Sequence, residues 1–212
     1  MRTSLVALII AATPVAAESA FEQTSHFVWE RPEDYFGGWS AIEVMVGGAS
    51  FIAIGDNAQI YEGIFLRDGN RIVGVERAPV GALVDTDGTP FFQKNIEHIG
   101  DSEGLTVLSG RRFAVSFERF PRILIYGEKG LPIRVELPRE ATGLPENGGV
   151  EALAVDNVGR FLAIPESLPK GAAGFPLWRQ TPAGWETLGH LKRSQGFRPV
   201  AADVGPDGKL YV

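Results

Sequence analysis

Ser102-Glu-Gly-Leu-Thr-Val-Leu-Ser-Gly-Arg-Arg-Phe-Ala-Val-Ser-Phe-Glu118 is an apolar run, a Ser-Gly turn and a second apolar run, with acids near both ends. Val150-Glu-Ala-Leu-Ala-Val-Asp-Asn-Val-Gly-Arg-Phe-Leu-Ala-Ile-Pro-Glu166 repeats the construction 48 residues later. In each copy a Glu lies ten residues before a Phe and an acid lies five after it: Glu103, Phe113 and Glu118, then Glu151, Phe161 and Glu166. Pro199-Val-Ala-Ala-Asp-Val-Gly-Pro-Asp-Gly-Lys-Leu-Tyr-Val212 is a further copy. Upstream, Trp39–Asp56 keeps Phe51 and Asp56 but has Ser40 or Ala41 in place of the leading Glu. A unit of about 45–50 residues holding four short strands is the sequence pattern of a β-propeller blade.

The rest of the chain agrees with this period. Its 26 Gly and 14 Pro fall between short apolar runs rich in β-branched and aromatic residues, the pattern of strands and tight turns rather than helices. Arg122–Leu137 supplies the two outer strands of one blade. A β-sandwich also alternates short strands and turns, but it does not repeat a sequence pattern at this interval. The fold class predicted is all-β, a β-propeller, six-bladed when complete, with about four blades in this chain. The last copy stops at Val212, inside its second strand. A six-bladed chain at this period needs about 290 residues, so a C-terminally incomplete propeller is expected.

The first residues read as a leader. Arg2 gives a positive start, Leu5–Ala12 an apolar core too short to span a bilayer, and Val15-Ala16-Ala17 the small residues of a cleavage site. The organisation expected is a signal peptide over 1–17, an N-terminal strand or lead-in over 18–36 and the propeller over 37–212. No later segment is apolar for long enough to cross a membrane, which places the product in a periplasm or outside the cell. Cysteine is absent, which excludes disulfides, thiol catalysis and cysteine-held metals. The net charge of −6 becomes −7 when Arg2 leaves with the leader, and an acidic surface repels nucleic acid.

The acids are the candidate chemistry. A two-residue turn at Ser109-Gly110 would pair Leu108 with Arg111, set Glu103 opposite Ser116 and Asp101 opposite Glu118, and gather these acids at one end of the blade. Around a propeller axis, equivalent positions form rings at one channel mouth. Glu103, Glu151 and Asp203 are expected in one tier, and Asp56, Glu118 and Glu166 in another. With Asp101, these seven are the candidate metal ligands. An oxygen-only set suits Ca²⁺ or Mg²⁺ rather than zinc. The alternative is a latch, each Glu bonding to the backbone of the adjacent blade.

Candidate catalytic groups are Glu103, Glu151 and His98, the last three residues before Asp101 and placed to act as a general base. Arg198 is the candidate for holding an anionic substrate, with a salt bridge to a ring Glu as its alternative. No Gly-x-Ser-x-Gly elbow marks a serine hydrolase. Asp85-Thr-Asp-Gly88 has the start of a calcium loop but is expected to be a turn. Trp29, Trp39, Trp178 and Trp185 are scattered along the sequence, as core packing would require.

Gly38-Trp-Ser-Ala-Ile-Glu43, Asp101-Ser-Glu-Gly-Leu105, Phe113-Ala-Val-Ser-Phe-Glu118 and Asn147-Gly-Gly-Val-Glu-Ala-Leu153 together resemble one family. It is the phytase-like, "esterase-like" β-propeller proteins exported by many Gram-negative bacteria. Arg198–Tyr211 is similar to a later blade of that family. The resemblance runs from about Gly37 to the end, in the right order and spacing. It implies hydrolysis of phosphate or carboxylate esters, with a small anionic ester as substrate. Two functions are carried forward. One is a divalent-cation-dependent esterase or phosphatase at the acidic mouth; the other is a non-catalytic exported propeller binding a ligand or protein over the same face. The leader has a direct test. N-terminal sequencing of exported protein should begin near Glu18, and material beginning at Met1 would refute the cleavage.

Overall fold

A computed structural model of the chain describes residues 23, 25–32, 36–78, 81–145, 147–194 and 196–212. The expected leader, 1–17, lies outside the described residues. Strands β1 (Trp39–Val44), β2 (Ser50–Gly55), β3 (Ile60–Asp68) and β4 (Arg71–Ala78) form the first sheet. The second holds β5 (Ser102–Leu108), β6 (Arg112–Phe117), β7 (Arg122–Tyr126) and β8 (Ile133–Val135). The third holds β9 (Val150–Val155), β10 (Phe161–Pro165), β11 (Gly174–Thr181) and β12 (Gly184–Lys192). β13 (Asp203–Val204) and β14 (Leu210–Tyr211) pair as a fourth. Every sheet is an antiparallel meander in chain order, and two short 3₁₀ turns, Phe91–Gln93 and Arg139–Gly143, are the helical segments among the described residues.

The first strands of the sheets, β1, β5, β9 and β13, pack side by side in that order, and the later strands radiate outward. This is how consecutive propeller blades are arranged. The inner strands earn their place by sequence. In β6 and β7, successive residues enter opposite cores, and both faces of the sheet are buried. Val115, Phe117, Leu124 and Tyr126 pack toward the first blade, whereas Ala114 and Ile123 pack toward the third. The core is therefore divided into a series of interfaces between blades. Phe91 and Leu83, from the connection after β4, complete the first interface, and Trp178, 1% exposed, anchors the second. Phe175 and Ile164 meet Ala202 and Leu210 in the third.

The hydroxyls of Ser102 and Ser116, buried between blades, are paired. The Ser102 hydroxyl donates to the Gly55 carbonyl (2.6 Å), and the Ser116 hydroxyl donates to the Val150 carbonyl (2.6 Å) while accepting from the Gly104 N–H (2.9 Å). Arg122, 2% exposed, caps the first interface. Its guanidinium donates to the carbonyls of Phe120 and Ile99 (2.7 Å each) and sits 4.4 Å above the Phe117 ring. Blade approach is closest at Gly104. A Cβ there would stand 2.4 Å from the Glu151 carbonyl oxygen and 2.6 Å from the Ser116 hydroxyl.

None of the described lead-in residues belongs to a strand, so the N-terminal strand allowed for over 18–36 is not formed by them. Trp29 instead pins this segment to the first blade, stacked on Trp39 at 5.4 Å and edge-on to Phe51 and Tyr61. The Asp85–Gly88 segment is a turn as expected, and the Lys94 ammonium fills its carboxylate pair, 2.8 Å from Asp85 and 2.9 Å from Asp87. Replacing Ser116 by Ala leaves the buried Val150 carbonyl without its donor and should cost about 1–3 kcal/mol in denaturant unfolding. Gly104→Ala should cost more, because the neighbouring strand's backbone must move.

Candidate functional site

The turn between β5 and β6 has three residues rather than the two expected. Leu108 pairs with Arg112, and Gly110 (φ 72°) and Arg111 (φ 55°) adopt left-handed conformations. The extra residue would shift the strand register by one. A β-bulge between Ser102 and Leu105 restores it, so Asp101 still faces Glu118, whose N–H donates to the Asp101 carbonyl at 2.9 Å. Glu103 and Gly104 together oppose Ser116. The same irregularity recurs between Trp39 and Ala41, and opposite Ile164 and Pro165. Its set-aside residues are Ser40 in the first blade and Glu151 in the third. Ser40, not Ala41, therefore replaces the leading Glu.

Glu103 and Glu151 line one cavity of about 1070 Å³ between the inner strands. Asp203 lines it too, but not in their tier. The turn after β13 matches that after β9: Gly205 N–H donates to Lys209 O as Asp156 N–H does to Arg160 O. Counting back from that turn puts Val200 at the Glu151 position and Asp203 at that of Ala154. The expected ring of Glu103, Glu151 and Asp203 is thus corrected. Asp203, exposed and three residues further along the chain than Val200, acts electrostatically on Glu43, which hydrogen-bonds Thr106 of the next blade. Glu43 was not singled out by its sequence, although Ile42-Glu43 lies in the first repeat. Its register with Thr106, Ala154 and Asp203 follows from the bulge, which leaves no trace in residue type.

The closing acids have other partners. Glu118 accepts from the Gly149 N–H at the start of the third blade (3.3 Å), where a Cβ on Gly149 would collide with the Glu118 side chain. Glu166 accepts from Arg198 (3.2 Å), which precedes the fourth blade. These two are latches to the following blade. Asp56 is exposed and accepts from the Asn57 amide (2.8 Å). Asp101 lies 3.2 Å from both the Arg119 Nε and the His98 Nδ1, and the His98 Nε2 is 3.2 Å from Glu97. The structure thus joins His98 to Asp101 outside the cavity, and Arg198 to a ring acid. Of the tryptophans, Trp178 is core, but Trp29 and Trp39 line the same cavity as Glu103.

Burial and like charge act together on the inward acids. Burial, then Glu151, Glu118, Asp101 and Asp56, raises Glu103 to about 8. Burial and then Glu166 raise Glu151 to about 7, and Glu151 also hydrogen-bonds Glu166, which requires a proton on one of them. Burial and then Asp203 raise Glu43 to about 7. Burial likewise raises Glu118, opposed by its bond from Gly149. The donor chemistry suits a hard cation, being oxygen alone. The number of donors does not suffice by itself. Among the described residues, no three His, Asp or Glu side chains stand together as a set that holds one ion.

Carboxyls whose native pKa is raised bind protons that the unfolded chain releases. Their stabilising contribution is complete below the ordinary carboxylate range and is lost as pH rises through about 7–8. Glu103→Gln stays uncharged throughout. In chelator, denaturant unfolding should therefore favour this variant progressively over the native sequence from about pH 5 to about pH 9. Parallel pH profiles would show that Glu103 is solvated in the folded state.

No curated protein shows significant sequence similarity to the chain. Among solved structures, the crystal structure of a selenomethionine-substituted virginiamycin B lyase from Staphylococcus aureus aligns at 15% identity with a TM-score of 0.44. The alignment covers 82% of this chain and 62% of that one, so the chain spans less than two thirds of that structure's length. No helix among the described residues is long and apolar enough to cross a membrane. The family model described as "Phytase-like: Esterase-like activity of phytase" matches residues 34–212, and the chain belongs to that family.

Proposed function

We propose that this chain is an exported phytase-like propeller that hydrolyses phosphate or carboxylate esters at its acidic channel with the help of Ca²⁺ or Mg²⁺. One observation carries the reading. Glu103 and Glu151 recur at the same bulge of successive blades, point into one cavity, and form no ion pair with Lys or Arg among the described residues. Carboxylates held in this way repel one another until a cation or a proton intervenes.

Glu103 and Glu151 would hold the cation as a pair, leaving its other positions to water and substrate oxygens. The chemistry of such an ion would be to offset their charge toward an anionic ester and to polarise an ester oxygen. His98 lies outside the cavity with Nδ1 at Asp101 and Nε2 at Glu97, so both ring nitrogens are occupied and proton handling is left to water in the channel. A water oxygen bonds to the acyl carbon or phosphorus as the ester C–O or P–O bond breaks, and the proton lost by that water ends on the departing alkoxide. Arg198 stays with Glu166 and steadies the neighbouring Glu151 as a charge.

The alternative is a non-catalytic exported propeller that binds a ligand or protein partner over the same face, with Glu118 and Glu166 occupied in joining blades. Thermal unfolding separates the two. A hundredfold excess of calcium over its Kd should stabilise the protein by about 2.7 kcal/mol, and Glu103→Gln should abolish that gain. Hydrolysis of 4-nitrophenyl esters should disappear with chelator. His98→Ala should retain both the calcium response and the turnover, because both ring nitrogens already face carboxylates outside the cavity. Indifference to calcium, with stability lost in Glu103→Gln whatever the metal, would establish the latch and end the hydrolase reading.

A further inference from the structure

We infer that the channel is built for an ester with an aromatic or bulky apolar body and little charge, not for a polyphosphorylated one. This rests on the reading of the channel as the substrate site and goes beyond it to substrate class. The wall facing the acids is aromatic. Trp29 and Trp39 lie nearly parallel, 17° apart with centroids at 5.4 Å. Phe36 meets both edge-on, at 4.8 and 5.1 Å, and Tyr61 closes on Trp39 at 4.6 Å. These contacts fix the two indoles as a platform rather than leaving them as mobile side chains. Ile42, Leu105 and Leu153 continue the apolar surface between the platform and the carboxyls.

The charge pattern points the same way. Glu43, Glu103, Glu151 and Asp203 all line the cavity, and among the described residues no Lys or Arg does. Arg198, whose charge reaches Glu151, is already ion-paired with Glu166. A substrate with several phosphates would place each of them against carboxyls with no guanidinium or ammonium to receive it. A neutral or singly charged aryl ester meets none of that repulsion, and its ring can stack on the indoles. The volume, about 1070 Å³, is of the size that accepts such a molecule.

The test uses the full-length protein. 4-Nitroacetanilide, the amide isostere of 4-nitrophenyl acetate, reports binding alone by quenching tryptophan emission. It should quench saturably. Trp29→Ala should weaken it about tenfold, whereas Trp29→Phe, which keeps a ring and guards against misfolding of the first variant, should weaken it less. Inositol hexakisphosphate should fail to displace it. Saturable quenching without turnover of any ester would leave this inference standing and overturn the hydrolase reading. Turnover of inositol hexakisphosphate, or equal affinity in all three proteins, would overturn the inference while leaving that reading intact. Absence of both binding and turnover would overturn both.

Discussion

A four-stranded sheet that is apolar on both faces cannot stand alone in water, and the rest of the structure follows from that constraint. Val115 and Phe117 need a neighbour on one side, Ala114 and Ile123 on the other. Each blade therefore exists as half of two interfaces, and its stability depends on neighbouring blades. Inner strands must come close enough for those faces to touch, which is why position 104 is glycine and why the buried hydroxyls of Ser102 and Ser116 bond carbonyls across the gap.

Close approach also creates the channel chemistry. Where β5 and β9 lie side by side, the bulge brings Glu103 and Glu151 to one cavity, each half-buried. Burial then raises both pKa values before the like charges add to it. Had the strands paired without a bulge, the residue after Ser102 would have kept the regular alternation and changed sides relative to the rest of the strand. The irregularity is thus what converts a periodic acid into a facing pair.

Much of the architecture was legible because it is periodic. The 48-residue interval between Glu103 and Glu151 gave the blades, their hairpins and the convergence of Asp101 with Glu118. What escaped was set by single-residue geometry. The third turn residue, Arg111, and the bulge cancel, so Asp101 still faces Glu118, although the two-residue turn expected there is not the one formed. Asp203 matches the leading acids in type but not in distance from its turn, which puts it at the position of Ala154. Glu43 and the Trp29–Trp39 stack required knowing which strands lie side by side, and no spacing along the chain records that.

Two sets of acids that look alike in the repeat therefore do different work. The closing acids, Glu118 and Glu166, sit where the chain leaves one inner hairpin and the next blade begins. Each finds its donor there, the Gly149 N–H or the Arg198 guanidinium. The leading acids, Glu103 and Glu151, sit one bulge inside that rim and meet other acids and an apolar wall, with the Arg198 charge reaching Glu151 from its pair with Glu166. A latch needs a donor supplied by the fold, and the closing acids have one. A binding group needs its charge left unmatched by the fold, and the leading acids meet that condition. On the proposed reading the repeat supplies joints with one acid and a site with the other, and the first blade, with Ser40 in the leading position, brings Glu43 to the same cavity instead.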